Sequence, residues 1–216
     1  MRMKYDLDDE TDLVRFDRRQ SRIQRHMLVA FALGLAFGVA GAVVQHTGLS
    51  QVQAVFDPYA YFLLSAIVGA TASGPGWAVL SSLLSTVTPA VFALAGAALL
   101  EGYETDVWSR GPSGADLILL AVFCYGVFAY AARRDGYWAD LLAGVLGGLL
   151  LANLLDKAVL GLLRYVPDFW PGPALAVAVP VIGMVLFLRR GLAARLRGLA
   201  VALAMPGALI LIAPVV

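Results

Sequence analysis

Five hydroxyl side chains, Ser81, Ser82, Ser85, Thr86 and Thr88, crowd one apolar run and are followed directly by Pro89. On a helix they fall within an arc of roughly 160°. Pro89 removes a backbone donor and leaves the Ser85 carbonyl without its helical partner. Hydroxyls beside a free carbonyl at mid-membrane depth can line a polar pathway or hold a small solute, with Ser81, Ser85 and Thr88 as the expected positions. Bonding back to their own helix is the competing use. A second constellation is Asn153 and Asp156, which share a helical face. A carboxylate at membrane depth is costly enough to suggest solute or proton handling. Asp156 follows Trp138 by 18 residues, however, or about 27 Å of helix. That places it near an interface, where solvation or pairing with Lys157 or Arg164 also accounts for it.

Catalytic signatures are missing. The chain has no HExxH, GxGxxG or GxxxxGK[ST] motif and no aspartate pair at mid-membrane depth, so no enzyme and no catalytic residue is expected. His26 and His46 flank one apolar run, about 30 Å apart across the hydrocarbon, and the lone Cys124 lies inside another. Neither supplies an intrachain metal site or a disulfide framework, and no cofactor is expected.

The elements that must position these residues are membrane helices. The 216 residues are 60% hydrophobic and only 14% charged, with a mean hydropathy of +0.79, outside the range of soluble domains. At about 20 residues per crossing, the apolar runs use most of the chain. They cover 27–47, 57–72, 77–100, 115–132, 138–155, 174–188 and 198–216. The acidic start does not fit a cleaved signal peptide, so the first run reads as a retained helix. The fold class is therefore all-α and polytopic, with about seven transmembrane helices, or six if the short second run is re-entrant. Residues 1–26 form a charged cytoplasmic tail and 27–216 the bundle.

Charge orients it. With the N-terminus inside and seven crossings, thirteen Lys and Arg fall inside and only Arg110, Lys157 and Arg164 outside, the bias cytoplasmic loops show. The C-terminus is then outside. Trp77 and Trp138 fall at the inner interface, Trp108 and Trp170 at the outer. No surplus basic patch remains for nucleic acid.

Small residues mark packing faces. Gly34, Gly38 and Gly41 lie on one stripe of the first helix, and Gly144 and Gly148 on one side of the fifth, where backbones can approach closely. In the tail, Leu13, Phe16 and Ile23 can share a face while Arg15, Arg18, Arg19, Arg22 and Arg25 supply positive charge. Residues 12–26 could therefore rest on anionic lipid. The expected partners are the lipid bilayer and a second copy or another membrane subunit. The leading reading is a non-enzymatic plasma-membrane protein that transports a small solute or ion, or forms the membrane subunit of a transporter. The contending reading is an assembly subunit that holds partners through its glycine faces and tail.

Overall fold

The computed structural model describes residues 4–101, 112–158 and 171–212, and every regular element among them is an α-helix. The chain is an all-α polytopic membrane protein. Among the described residues, four segments are long and apolar enough to cross a bilayer: Gln20–His46, Ser50–Ala70, Pro75–Gly96 and Tyr137–Leu155. Two shorter apolar helices, Leu117–Ala132 and Gly172–Leu188, accompany them. Large apolar side chains such as Leu28, Leu175, Val179 and Leu211 lie on the outside, the arrangement a hydrocarbon solvent permits.

α1 (Lys4–His46) runs unbroken through the boundary drawn at residue 26. Its 43 residues reach about 65 Å, and it contains no Pro, nor any Gly before Gly34, that would place a kink. The charged segment up to residue 26 is therefore helical, from Lys4, and continuous with the first apolar run. α2 (Ser50–Phe56) and α3 (Tyr59–Ala70) follow. The second apolar segment thus begins seven residues earlier than hydropathy places it, because Gln51, Gln53 and Asp57 dilute the signal. Of these, Gln53 donates to the Gln45 carbonyl at 2.8 Å, satisfying one of the acceptors left open where α1 ends. Pro58, joined to Asp57 by a cis peptide bond, separates the two helices. Together Ser50–Ala70 provide 21 residues, enough for a crossing.

α4 is Pro75–Glu101, α5 Pro112–Ala132, α6 Tyr137–Ala158, α7 Pro171–Leu188 and α8 Leu192–Ile212. Register fixes their directions. Gly34 meets Thr88, Gly38 meets Phe92, and Ala42 meets Gly96, so α1 and α4 run parallel. Ala30 packs with Leu64 and Val68 while Gly41 abuts Tyr61, so α3 returns antiparallel between them in sequence. Gly69 touches Gly126 and Ser65 reaches Val122, making α3 and α5 parallel. Gly144 and Gly148 meet Val201 and Met205, whereas Gly147 meets Val185. α6 and α8 are thus parallel, with α7 opposed. At Gly136 and Gly191 the turns take φ of +130° and +88°, conformations that favour glycine. α8 starts six residues before the expected seventh run, which puts Arg195 and Arg197 inside a helix.

Candidate functional site

Two polar features stand in this apolar bundle, and α6 carries both. The first is a cavity of about 280 Å³ between α3, α5 and α6. Pro58, Phe62, Ala121, Leu149 and Leu150 supply hydrocarbon walls, and Tyr59, Tyr125 and Asn153 the polar groups. The Tyr59 hydroxyl donates to Asn153 Oδ1 at 2.6 Å, which leaves the Asn153 amide hydrogens directed elsewhere. Tyr125 seals the other end. Its ring stacks edge-on against Phe62 at 5.1 Å, and its hydroxyl donates to the Leu146 carbonyl at 2.8 Å and approaches Met184 Sδ at 3.7 Å. Beyond Tyr125 the helices close tightly: a side chain at Gly69 would collide with the Gly126 backbone, and Ser65 donates to the Val122 carbonyl at 2.8 Å.

The second feature is a buried ionic latch at the arginine-rich end. Asp140 lies in the first turn of α6 and is 1% exposed. Its Oδ1 pairs with Arg189 Nη2, and its Oδ2 accepts from Arg197 Nε at 2.7 Å and Nη2 at 2.6 Å. Arg189 Nη1 also donates to the carbonyls of Ala132 at 2.7 Å and Arg134 at 2.6 Å, where α5 ends. Charge matches helix polarity at both places: the carboxylate sits at a helix N-terminus and the guanidinium at a C-terminus. One network therefore ties α5, α6, α7 and α8 together. Along α6, Asp140 and Asn153 are separated by about 20 Å, so the cavity and the latch occupy opposite halves of the bundle.

The hydroxyl-rich arc of α4 is buried but does not line the cavity. Ser81 donates to the Ala78 carbonyl, Ser85 to Ser82 and Thr86 to Ser82, at 3.3, 3.1 and 2.8 Å. Each thus bonds within its own helix. Thr88 and Pro89 instead fill the notch that Gly34 and Gly38 leave on α1. Ser85 and Asn153 belong to separate surroundings, so the structure does not bring the two expected polar groups together. Asp156 is part of α6, but its side chain, that of Lys157, and Trp108, Arg110, Arg164 and Trp170 lie outside the described residues. The glycine stripes face helices of the same chain: Gly41 meets Tyr61, Gly144 meets α8 at Val201, and Gly148 meets Met205. Of the tail arginines, Arg18, Arg22 and Arg25 are exposed, while the side chains of Arg15 and Arg19 are outside the described set. Among the described residues no group of three or more His, Cys, Asp or Glu is placed to hold a metal ion.

Sequence reasoning did not single out Tyr59, Tyr125 or Asp140. Asp140 carried a usable signal, being a carboxylate within the apolar run, at the helix end where, apart from Asp135 in the turn, the other charges are arginines. Comparison with known families, with characterised proteins and with solved structures returns no match for this chain.

Proposed function

We propose that this protein is a non-enzymatic, multipass protein of the plasma membrane, N-terminus inside and C-terminus outside, that binds and moves a small solute. The observation that carries this reading is the cavity at Tyr59, Tyr125 and Asn153, a hollow with hydrogen-bonding groups inside a segment long enough to span the bilayer. Tyr125 closes one end of it, with the ionic latch beyond, while Leu149 and Asn153 are exposed, so the hollow opens at the surface of the bundle. Five of its eight lining side chains are hydrocarbon. A hydrated ion finds too few ligands there, so the solute is an uncharged, largely apolar molecule with a group that accepts from the Asn153 amide.

The assembly reading keeps one support. The glycine faces are occupied within the chain, but the first part of α1 exposes Asp17, Arg18, Gln20 and Arg22, a surface a partner subunit could grip.

Accessibility tests the transport reading without knowledge of the solute. In a Cys124→Ala background, Leu150→Cys on the cavity wall should react with N-ethylmaleimide in proteoliposomes at least tenfold faster than Leu146→Cys beyond the Tyr125 seal. Equal inertness of the two would mean that the hollow is closed to small molecules, and the reading would fail.

A further inference from the structure

At the arginine-rich end, six arginines meet two aspartates in the segments 133–140 and 189–197. Most of these cations have employment. Arg189 and Arg197 hold Asp140, Arg195 Nε donates to the Arg189 carbonyl at 3.1 Å, and Arg134 lies over the Tyr130 ring and donates to its hydroxyl at 2.8 Å. Arg133 and Arg190 are different. The Arg133 guanidinium sits over the ring of Phe187, 4.4 Å from its centre, with Nη1 buried and without a hydrogen-bond acceptor among the described residues. Partial burial, and then the nearby charge of Arg190, lower the proton affinity of Arg133. The two like charges are near enough to repel, neither has an ion-pair partner among the described residues, and Arg190 is exposed.

Phe187 is itself 42% exposed, on the last turn of an apolar helix. An exposed ring at the end of an apolar helix, with a cation over its face, is the arrangement expected at the edge of the hydrocarbon. Tyr137 and Trp138, 60% and 81% exposed at the start of α6, mark the same boundary, where aromatic side chains concentrate.

We infer that Arg133, Phe187 and Arg190 form a binding site for the headgroup of an anionic phospholipid. The phosphate bridges the two guanidinium groups and an acyl chain lies along Phe187. The pairing satisfies the orphaned Nη1, relieves the repulsion between the arginines, and uses the planar donor geometry that suits phosphate oxygens. A free anion would gain the charge contacts but leave the Phe187 face unused. The site is independent of the solute cavity and of the transport reading.

Native mass spectrometry of the full chain in detergent, titrated with phosphatidylglycerol or with phosphatidylcholine, tests this. The wild type should bind phosphatidylglycerol preferentially. Arg133→Gln with Arg190→Gln should weaken that binding about 30-fold, and Arg18→Gln with Arg22→Gln on α1 should leave it unchanged. Should the Arg133 variant fold poorly, Arg190→Gln alone, at an exposed position, should still weaken it about fivefold, and Phe187→Ala should also weaken it with both charges intact. Equal binding by the wild type and the Arg133/Arg190 variant would overturn the proposal. So would an equal loss in the α1 variant, which signals diffuse attraction, or displacement of the lipid by millimolar inorganic phosphate, which signals a free-anion site.

Discussion

Among the individual residues, Asp140 carries the heaviest responsibility. Its carboxylate neutralises Arg189, whose side chain is 5% exposed, and also engages Arg197, whose side chain is 50% exposed. Removing one member of a buried pair strands the other charge, at a cost of about 3–5 kcal/mol, whereas a half-exposed partner contributes about 1 kcal/mol or less. Asp140→Asn should therefore lower the unfolding free energy in mixed micelles by about 3 kcal/mol or more, and Arg197→Gln by about 1 kcal/mol. Equal effects would show that Arg189 has another counter-charge. This latch was only half legible in the sequence. Counting charges places Arg189 and Arg190 in one class, a topology signal. The fold separates them, because Arg189 continues the buried stripe of Val177, Val181 and Val185 at four-residue spacing while Arg190 turns outward. Helical periodicity can reveal that difference; the identity of the counter-charge on another helix is a tertiary fact that no local spacing contains.

Pairs of helices are held together by small residues, and the glycine positions differ sharply in what surrounds them. A Cβ at Gly38 would strike Pro89 and Phe92, and one at Gly126 would strike Ser65 and Ser82, whereas Gly183 opens on empty space. Gly38→Ala and Gly126→Ala should each lower stability by about 1–3 kcal/mol through overpacking, and Gly183→Ala should leave it unchanged within about 0.5 kcal/mol. A common melting temperature for all three variants would mean that these backbones are not in close contact. The four-residue spacing of Gly34 and Gly38 made a packing face legible, but not its occupant, Pro89. Gly69 and Gly126 gave no stripe at all, since each is a single close approach between two helices. The polar arc of α4 illustrates the reverse error of scale: its hydroxyls lie on one face as their spacing requires, yet Ser81, Ser85 and Thr86 bond within a helical turn, while the buried Ser82 Oγ has no hydrogen-bond partner among the described residues. Ser85→Val and Asn153→Leu, which have no common hydrogen-bond partner, should therefore show additive stability effects. A coupling above about 0.5 kcal/mol in a double-mutant cycle would indicate a shared polar pathway.

For the whole molecule, the proposed placement in the bilayer is one that the alternation of helix directions and the distribution of charge share. The turn at Gly48, between α1 and α2, and the turn at Gly136, between α5 and α6, lie at opposite ends of the bundle, because α1 runs antiparallel to α3 and α3 runs parallel to α5. Arginines crowd the Gly136 end: Arg133, Arg134, Arg189 and Arg190 surround it, while no arginine among the described residues lies near Gly48. The side rich in Lys and Arg is retained in the cytoplasm. In a Cys124→Ala background, Leu49→Cys, exposed beside the first turn, should react with a membrane-impermeant maleimide added to intact cells, and Gly136→Cys should react only after permeabilisation. Gly136 has φ of +130°, so its replacement strains the turn; Asp135→Cys, also exposed, is the companion variant and should give the same protected result. Labelling of both ends from outside would show that the chain does not separate them across a membrane. The reverse pattern would invert the orientation and with it the side from which the solute cavity opens.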